Sequence, residues 1–293
     1  MTAPRTVLLT GAAGGLGTLM RELLPPYGYR LRLFDQRSIE KIEKIEKIEK
    51  IENIEDIEHV EHTAGEPEAI TAELADKEAL REAVRGVDAI VHFAGISLEA
   101  PFEKILRANI EGTYHLYEAA REAGVRRIVF ASSNHAVGFT PRPADGSGAI
   151  GVDTPRRPDT YYGLSKGFGE DLASLYWDLH GIETVSVRIG SCCPEPTTVR
   201  MLSTWLSPAD AARLLHAALT APDVGHTVVY GSSANTRLWW DLSSARALGY
   251  EPQDDSEPYA AELLAAQGEL DPGNPEHAHL GGSFCTDPPR WPH

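Results

Sequence analysis

The sequence predicts an α/β protein: a doubly wound parallel sheet with a small C-terminal lobe. Short apolar runs that read as strands alternate with stretches of helical periodicity through most of the 293 residues. The first run, Thr6–Thr10, passes through the glycine-rich turn Gly11-Ala12-Ala13-Gly14-Gly15-Leu16-Gly17 directly into a helical pattern from Thr18 to Leu24. Further on, Tyr162 and Lys166 stand four residues apart, on one face of a helix.

Composition sets the bounds. With 42% hydrophobic residues the chain can bury a sizeable core, and its net charge of −16 argues against nucleic acid as a partner. Three cysteines, two of them adjacent (Cys192 and Cys193, with Cys285), make no disulfide framework and suit a reducing cytoplasm. The apolar run at the N-terminus is too short for a signal peptide core, and no window approaches the ~20 apolar residues of a membrane span.

Strand, glycine turn and helix together form the context of a Rossmann-type dinucleotide loop. Gly11 permits the tight turn, Gly14 lets a pyrophosphate approach the backbone, and Gly17 lets the helix pack close to the strand. Amides at the helix start then face the phosphates. A second strand, Arg30–Asp35, ends in an acid 18 residues beyond Gly17. A carboxylate there accepts ribose hydroxyls and repels the extra phosphate of NADP, so Asp35 favours NAD, although Arg37 close by could tolerate NADP.

Residues 38–59 are unusual. Ile recurs every third residue from Ile39 to Ile57, a period matching neither strand nor heptad, in which an apolar stripe slips by about 60° per repeat around a helix. This Ile-Glu-Lys segment reads as a low-complexity insertion after the second strand. The third strand falls at His59–Thr63 or, preferably, Ala69–Ala72, before Glu73, Leu74 and a helix from Lys77 to Val84. Asp88–Gly95 gives a fourth strand whose Ala94-Gly95 end is small enough for a cofactor to lie against, and Ser97 follows it at the ligand-binding edge. A long amphipathic helix spans Asn109 to Ala123. The fifth strand, Arg127–Ala131, ends in Ser132-Ser133-Asn134-His135, polar groups placed to hold a substrate oxygen or simply to cap a turn. A loop over 138–158 leads to the Tyr162/Lys166 helix, and Thr184–Ile189 is the sixth strand. Residues 1–191 therefore read as the nucleotide-binding domain and 192–293 as a small substrate lobe on the same sheet. In that lobe Ser207 caps a helix, Thr227–Gly231 forms a strand and Ala260–Gln267 a helix. Arg200 is its candidate anion clamp, or else a surface ion-pair partner.

A Lys beside a Tyr favours the phenolate, which can accept the proton of an alcohol being oxidised. The Gly-x-x-Gly-x-x-Gly turn, the Ser-Ser-Asn strand end and Tyr162-x-x-x-Lys166 together resemble the extended short-chain dehydrogenase/reductase superfamily. Within it, "ASSNHAVGF" (131–139), "RRPDTYYGLSKGFGEDLA" (156–173), "VRIGSCCPEP" (187–196), "RMLSTWLS" (200–207) and "GSSANTRLWWD" (231–241) look like the uronate dehydrogenase family. The Ile-Glu-Lys segment has no counterpart there.

The resemblance implies oxidation of D-glucuronate and D-galacturonate at C1 with NAD, to an aldarolactone that opens to the aldarate. It makes Tyr162 the general base and gives Lys166 the tasks of lowering its pKa and binding the nicotinamide ribose. Ser133 and Asn134 share the holding of the reacting oxygen, Asn134 standing where many relatives have Ser or Thr. Ser97, His135, Ser191 and Phe284 line the sugar site, and Arg200 takes the C6 carboxylate. The glycine turn with Leu16, then Asp35, Glu73 (where the family usually has Asp), Leu74, Ala94, Gly95 and Asn109 line the cofactor. No metal is implied, and a cytoplasmic homo-oligomer is expected. Two rival readings share these motifs: a nucleotide-sugar epimerase or dehydratase, which needs a larger C-terminal lobe, and an NAD(P)-sensing protein without chemistry, which often lacks the Tyr or Lys. A scaffold acting through residues 39–59 could coexist with catalysis.

Overall fold

The computed structural model describes residues 6–39, 68–143 and 149–286; the Ile-Glu-Lys repeat beyond Ile39 and the alternative third strand at 59–63 lie outside them. Seven parallel strands form one sheet in the order β3-β2-β1-β4-β5-β6-β9. They are β1 (Thr6–Thr10), β2 (Arg30–Asp35), β3 (Glu68–Thr71), β4 (Ala89–His92), β5 (Arg127–Ser133), β6 (Glu183–Ile189) and β9 (His226–Gly231). A two-residue pair, β7 (Ser191–Cys192) with β8 (Trp205–Leu206), lies beyond β6.

Side chains alternate across each strand, so a sheet covered on both faces needs apolar residues at every position. β1 meets that need over Val7–Leu9, and its flanking Thr6 and Thr10 are buried as well. Val7 and Leu9 join Met20 and Leu23 of α1 (Gly15–Leu23), and Leu214 and Leu215 of a later helix, Pro208–Thr220. Leu8 faces the other way, toward Leu80 of α2 (Lys77–Ala83), Leu116 and Tyr117 of Gly112–Ala123, and Leu172 of the 20-residue helix Tyr161–His180. Each fully buried Leu contributes about 1.5–3 kcal/mol. In chain order these helices and the short ones between them are α3 (Phe102–Ile105), α4 (Gly112–Ala123), α5 (Tyr161–His180), α6 (Met201–Thr204) and α7 (Pro208–Thr220).

The strand order reverses direction between β1 and β4, and ligands of such sheets bind beyond the carboxyl ends of the strands at that reversal. The glycine turn, Asp35, Ala94-Gly95, Ser133 and Ser191 all stand at carboxyl ends. The predicted fourth strand is shorter than expected, ending at His92, and the helix expected from Asn109 begins differently. Leu106–Glu111 forms a π-helical turn, and α4 starts only at Gly112. Asn109 lies within that turn. Trp239, Trp240, Leu242 and Leu280 form a satellite cluster with Val137 and Tyr230.

Candidate active site

The glycine turn is built for close approach. Gly11 has φ +71°, and a Cβ there would stand 2.7 Å from the Ala94 nitrogen; one on Gly17 would stand 2.1 Å from the Gly11 carbonyl oxygen. Gly14 caps α1 without a side chain, leaving the first amides of the helix to a ligand. Asp35, buried at the end of β2, accepts from the Ala13 amide (2.9 Å) and the Arg37 amide (2.8 Å), which locks the turn to the strand. Arg37 donates to the Ala13 carbonyl and lies 3.6 Å from the Asp35 carboxylate, so its charge is partly answered. These features fit a dinucleotide: a cradle that any side chain would fill, free helix amides, and a carboxylate with lone pairs to spare. Leu16 lies in the first turn of α1 and packs against the core. Glu73 is exposed after β3, while Leu74 is buried against Gly112, where an added Cβ would come within 2.8 Å.

Asn109 does not present its amide to the cleft. Oδ1 accepts from the Ile96 amide (2.7 Å), and Nδ2 donates to the Ile96 carbonyl (2.9 Å) and the Ser165 hydroxyl (3.0 Å). It ties the Gly95 turn (φ +138°) to α5. Below that turn lies a chain the sequence did not reveal, Thr10 to His92 at 2.7 Å and His92 to Thr113 at 3.2 Å; burial pushes His92 down to about 3 and so keeps it neutral.

The start of α5 is held from afar. Glu99 accepts from the amides of Tyr161 (3.1 Å) and Tyr162 (2.9 Å), and the Thr160 hydroxyl accepts from Gly163 (3.0 Å). A carboxylate at this end also meets the positive pole of the helix. Tyr162 and Lys166 are both buried, with the Lys Nζ 5.4 Å from the Tyr ring centroid and donating to the Ala131 carbonyl at 2.7 Å. Burial pushes the Tyr162 phenol up to about 12 and the Lys166 ammonium down to about 8. The Ser133 hydroxyl pulls the phenol back down against that burial. Ser133 also accepts from the His135 amide (3.2 Å), which leaves its proton free to point at the phenol oxygen.

The other predicted residues gather around this pair to different degrees. His135 stacks on Phe284 (centroids 4.1 Å apart) and meets Tyr162 edge-on at 5.8 Å. Asn134 donates to the Leu280 carbonyl at 3.3 Å through Nδ2. Arg200 donates to the same carbonyl through Nε (3.2 Å) and Nη2, stacks over Trp239, and pairs with no carboxylate among the described residues. Desolvation pushes its pKa down to about 10 despite the charge of Asp159 nearby. Ser191 bonds Thr204 (3.1 Å), and Ser97 is exposed on the loop after β4. Beneath α5, Glu170 accepts from Ser132 (2.6 Å) and from both Nε and Nη2 of Arg188 (2.9 Å each), fixing the helix to β5 and β6. Glu99, Asp159 and Glu170 were not singled out from the sequence. The only local hint was the capping pair Asp159-Thr160 just before the helix.

Known proteins resemble this chain over nearly all of its length. The model of the NAD dependent epimerase/dehydratase family matches residues 7–196. The uronate dehydrogenase of Pseudomonas syringae pv. tomato is 49% identical over 97% of this chain and 94% of its own length. The crystal structure of glucuronic acid dehydrogenase from Chromohalobacter salexigens superposes with a TM-score of 0.85 at 44% identity, covering 97% of this chain and 98% of that one. A mutant uronate dehydrogenase from Agrobacterium tumefaciens, complexed with NAD, gives 0.84 at 43%, again covering 97% and 98%. The chain belongs to the NAD dependent epimerase/dehydratase family and, within it, to the uronate dehydrogenases.

Proposed function

We propose that this protein oxidises D-glucuronate and D-galacturonate at C1 with NAD, giving the aldarolactone that opens to the aldarate. The observation that carries the substrate assignment is Arg200. It is a desolvated guanidinium in no ion pair among the described residues, anchored on the Leu280 carbonyl of the segment that carries Phe284. A planar carboxylate matches its fork, and a neutral sugar would leave the guanidinium without an ion-pair partner.

The glycine turn and the free amides of α1 would hold the pyrophosphate of NAD, and Asp35 the adenosine ribose. When bound, NAD accepts the hydride from C1. Tyr162 takes the proton of the C1 hydroxyl, helped by the Ser133 hydroxyl, which favours its phenolate. Lys166, anchored on Ala131, adds positive charge beside the ring and reaches toward the nicotinamide ribose. Asn109 acts on the cradle through Ile96, and Asn134 shares its amide between the reacting oxygen and the Leu280 turn. No helix among the described residues is long and apolar enough to cross a membrane. Three free thiols suit the cytoplasm, where we place the enzyme. Exposed Leu164, Leu175 and Leu179 on one face of α5 support a homo-oligomer.

The test is NADH formation with glucuronate, galacturonate, glucose and a UDP-sugar in turn. Turnover of both uronates with glucose inert is expected. Inert uronates with NAD bound would overturn the assignment in favour of a nucleotide-sugar substrate.

A further inference from the structure

Asp159 has no role so far beyond its charge near Arg200, yet its side chain is fully buried within the site. Its Oδ2 lies 2.6 Å from His135 Nδ1, and its Oδ1 accepts from the Thr160 hydroxyl at 2.9 Å. Thr160 cannot reverse that bond easily. Its oxygen already accepts from the Gly163 amide at 3.0 Å, so its proton is directed at Asp159. Gly163 to Thr160 to Asp159 to His135 is thus a polarised chain that begins at the N-terminus of α5. A carboxylate only accepts, so the ring nitrogen facing Oδ2 must carry the hydrogen. The imidazole is clamped between Asp159 and the Phe284 ring, and Nε2 makes no hydrogen bond to the described residues.

We propose that Asp159 is a positioning residue that fixes His135 as the Nδ1–H tautomer, so that Nε2 offers a lone pair to a hydroxyl hydrogen of the sugar ring. The identity of that donor rests on the uronate assignment; the tautomer does not. His135 then reads the ring hydroxyls while Arg200 reads the carboxylate, and a sugar derivative lacking the hydrogen on that oxygen is refused. Asp159 holds this place at a cost to the chemistry, because its negative charge opposes ionisation of Tyr162. Its electrostatic effect on the base and its positioning effect on His135 therefore have opposite signs.

Asp159→Asn separates them. Thr160 still donates to the amide oxygen, so the amide NH₂ turns toward His135 Nδ1 and forces the hydrogen onto Nε2. Nitrogen-15 NMR of imidazole-labelled protein, with His135 assigned through His135→Gln, should show protonated Nδ1 and bare Nε2 in the wild type and the reverse in Asp159→Asn. With NAD affinity unchanged, kcat/KM for glucuronate should fall roughly 100-fold, the effect of a buried acceptor turned into a donor. A wild-type proton on Nε2 overturns the proposal, and that result does not depend on Asp159→Asn folding. Uronate activity equal to or above wild type in a folded Asp159→Asn would overturn it too, since relief of the charge on Tyr162 would then be the dominant effect. If the wild type turns over no uronate, the substrate assignment fails while the tautomer is still decided by the spectrum.

Discussion

Replacing Arg200 with Ala should cost the enzyme its uronates far more than its structure. Desolvation takes the guanidinium from 12.5 down to about 10, which corresponds to roughly 3 kcal/mol held against the cation in its half-buried place. A substrate carboxylate that recovers most of this binds roughly 100-fold more tightly than a neutral isostere. Arg200→Ala should therefore lower kcat/KM for glucuronate by about 100-fold, chiefly through KM. The same side chain also donates to the Leu280 carbonyl, on the segment that carries Phe284, and its loss there would impair every sugar alike. Measuring kcat/KM for glucuronate and, at high concentration, for glucose distinguishes the two effects. A collapse of the uronate-to-glucose ratio is expected. If both fall by one factor and the ratio stands, Arg200 serves the Leu280 turn and the carboxylate assignment is refuted.

Tyr162→Phe should reduce kcat by about 10²–10⁴-fold with NAD affinity, followed by fluorescence titration, unchanged; retained turnover would remove the Tyr from the proton transfer. Glu170→Ala leaves Arg188 buried without its carboxylate and should cost about 3–5 kcal/mol in urea unfolding, whereas a loss under 1 kcal/mol would show that the pair is not structural. Lys166 is pushed from 10.5 down to about 8, so the folded state holds this proton less tightly than the unfolded chain. The stability concerned is present above pH 10.5 and is lost as pH falls through about 8. Lys166→Met should then raise stability at pH 7 by roughly 1–2 kcal/mol, net of the lost bond to Ala131, while turnover disappears. The gain should shrink as pH rises from about 8 to 10.5, and a variant less stable than wild type at pH 7 would contradict the desolvation argument.

Features set by neighbours in sequence were legible before the structure. The glycine turn, Asp35 at a strand end and the Tyr162/Lys166 spacing all follow from local backbone rules, and the order of strands and helices followed with them. What escaped depends on partners far away in sequence. Asn109 lies in a regular helical pattern, and nothing local shows that its side chain ties down the Ile96 backbone thirteen residues earlier. Glu99 looks like any loop acid until α5 is seen to start on it, some sixty residues later. Asn134 reads as a ligand group from its strand-end position, but the Leu280 carbonyl claims part of its amide. Burial, a property of the whole fold, pushes the Tyr162 phenol up to about 12, and the Lys166 spacing alone does not reveal it.

The most direct measurement uses glucuronate deuterated at C1. Incubated with the protein and NAD, it should give NADH that carries the deuterium, seen by mass spectrometry, together with the aldarolactone. NADH without deuterium, or none with NAD demonstrably bound, would contradict oxidation at C1.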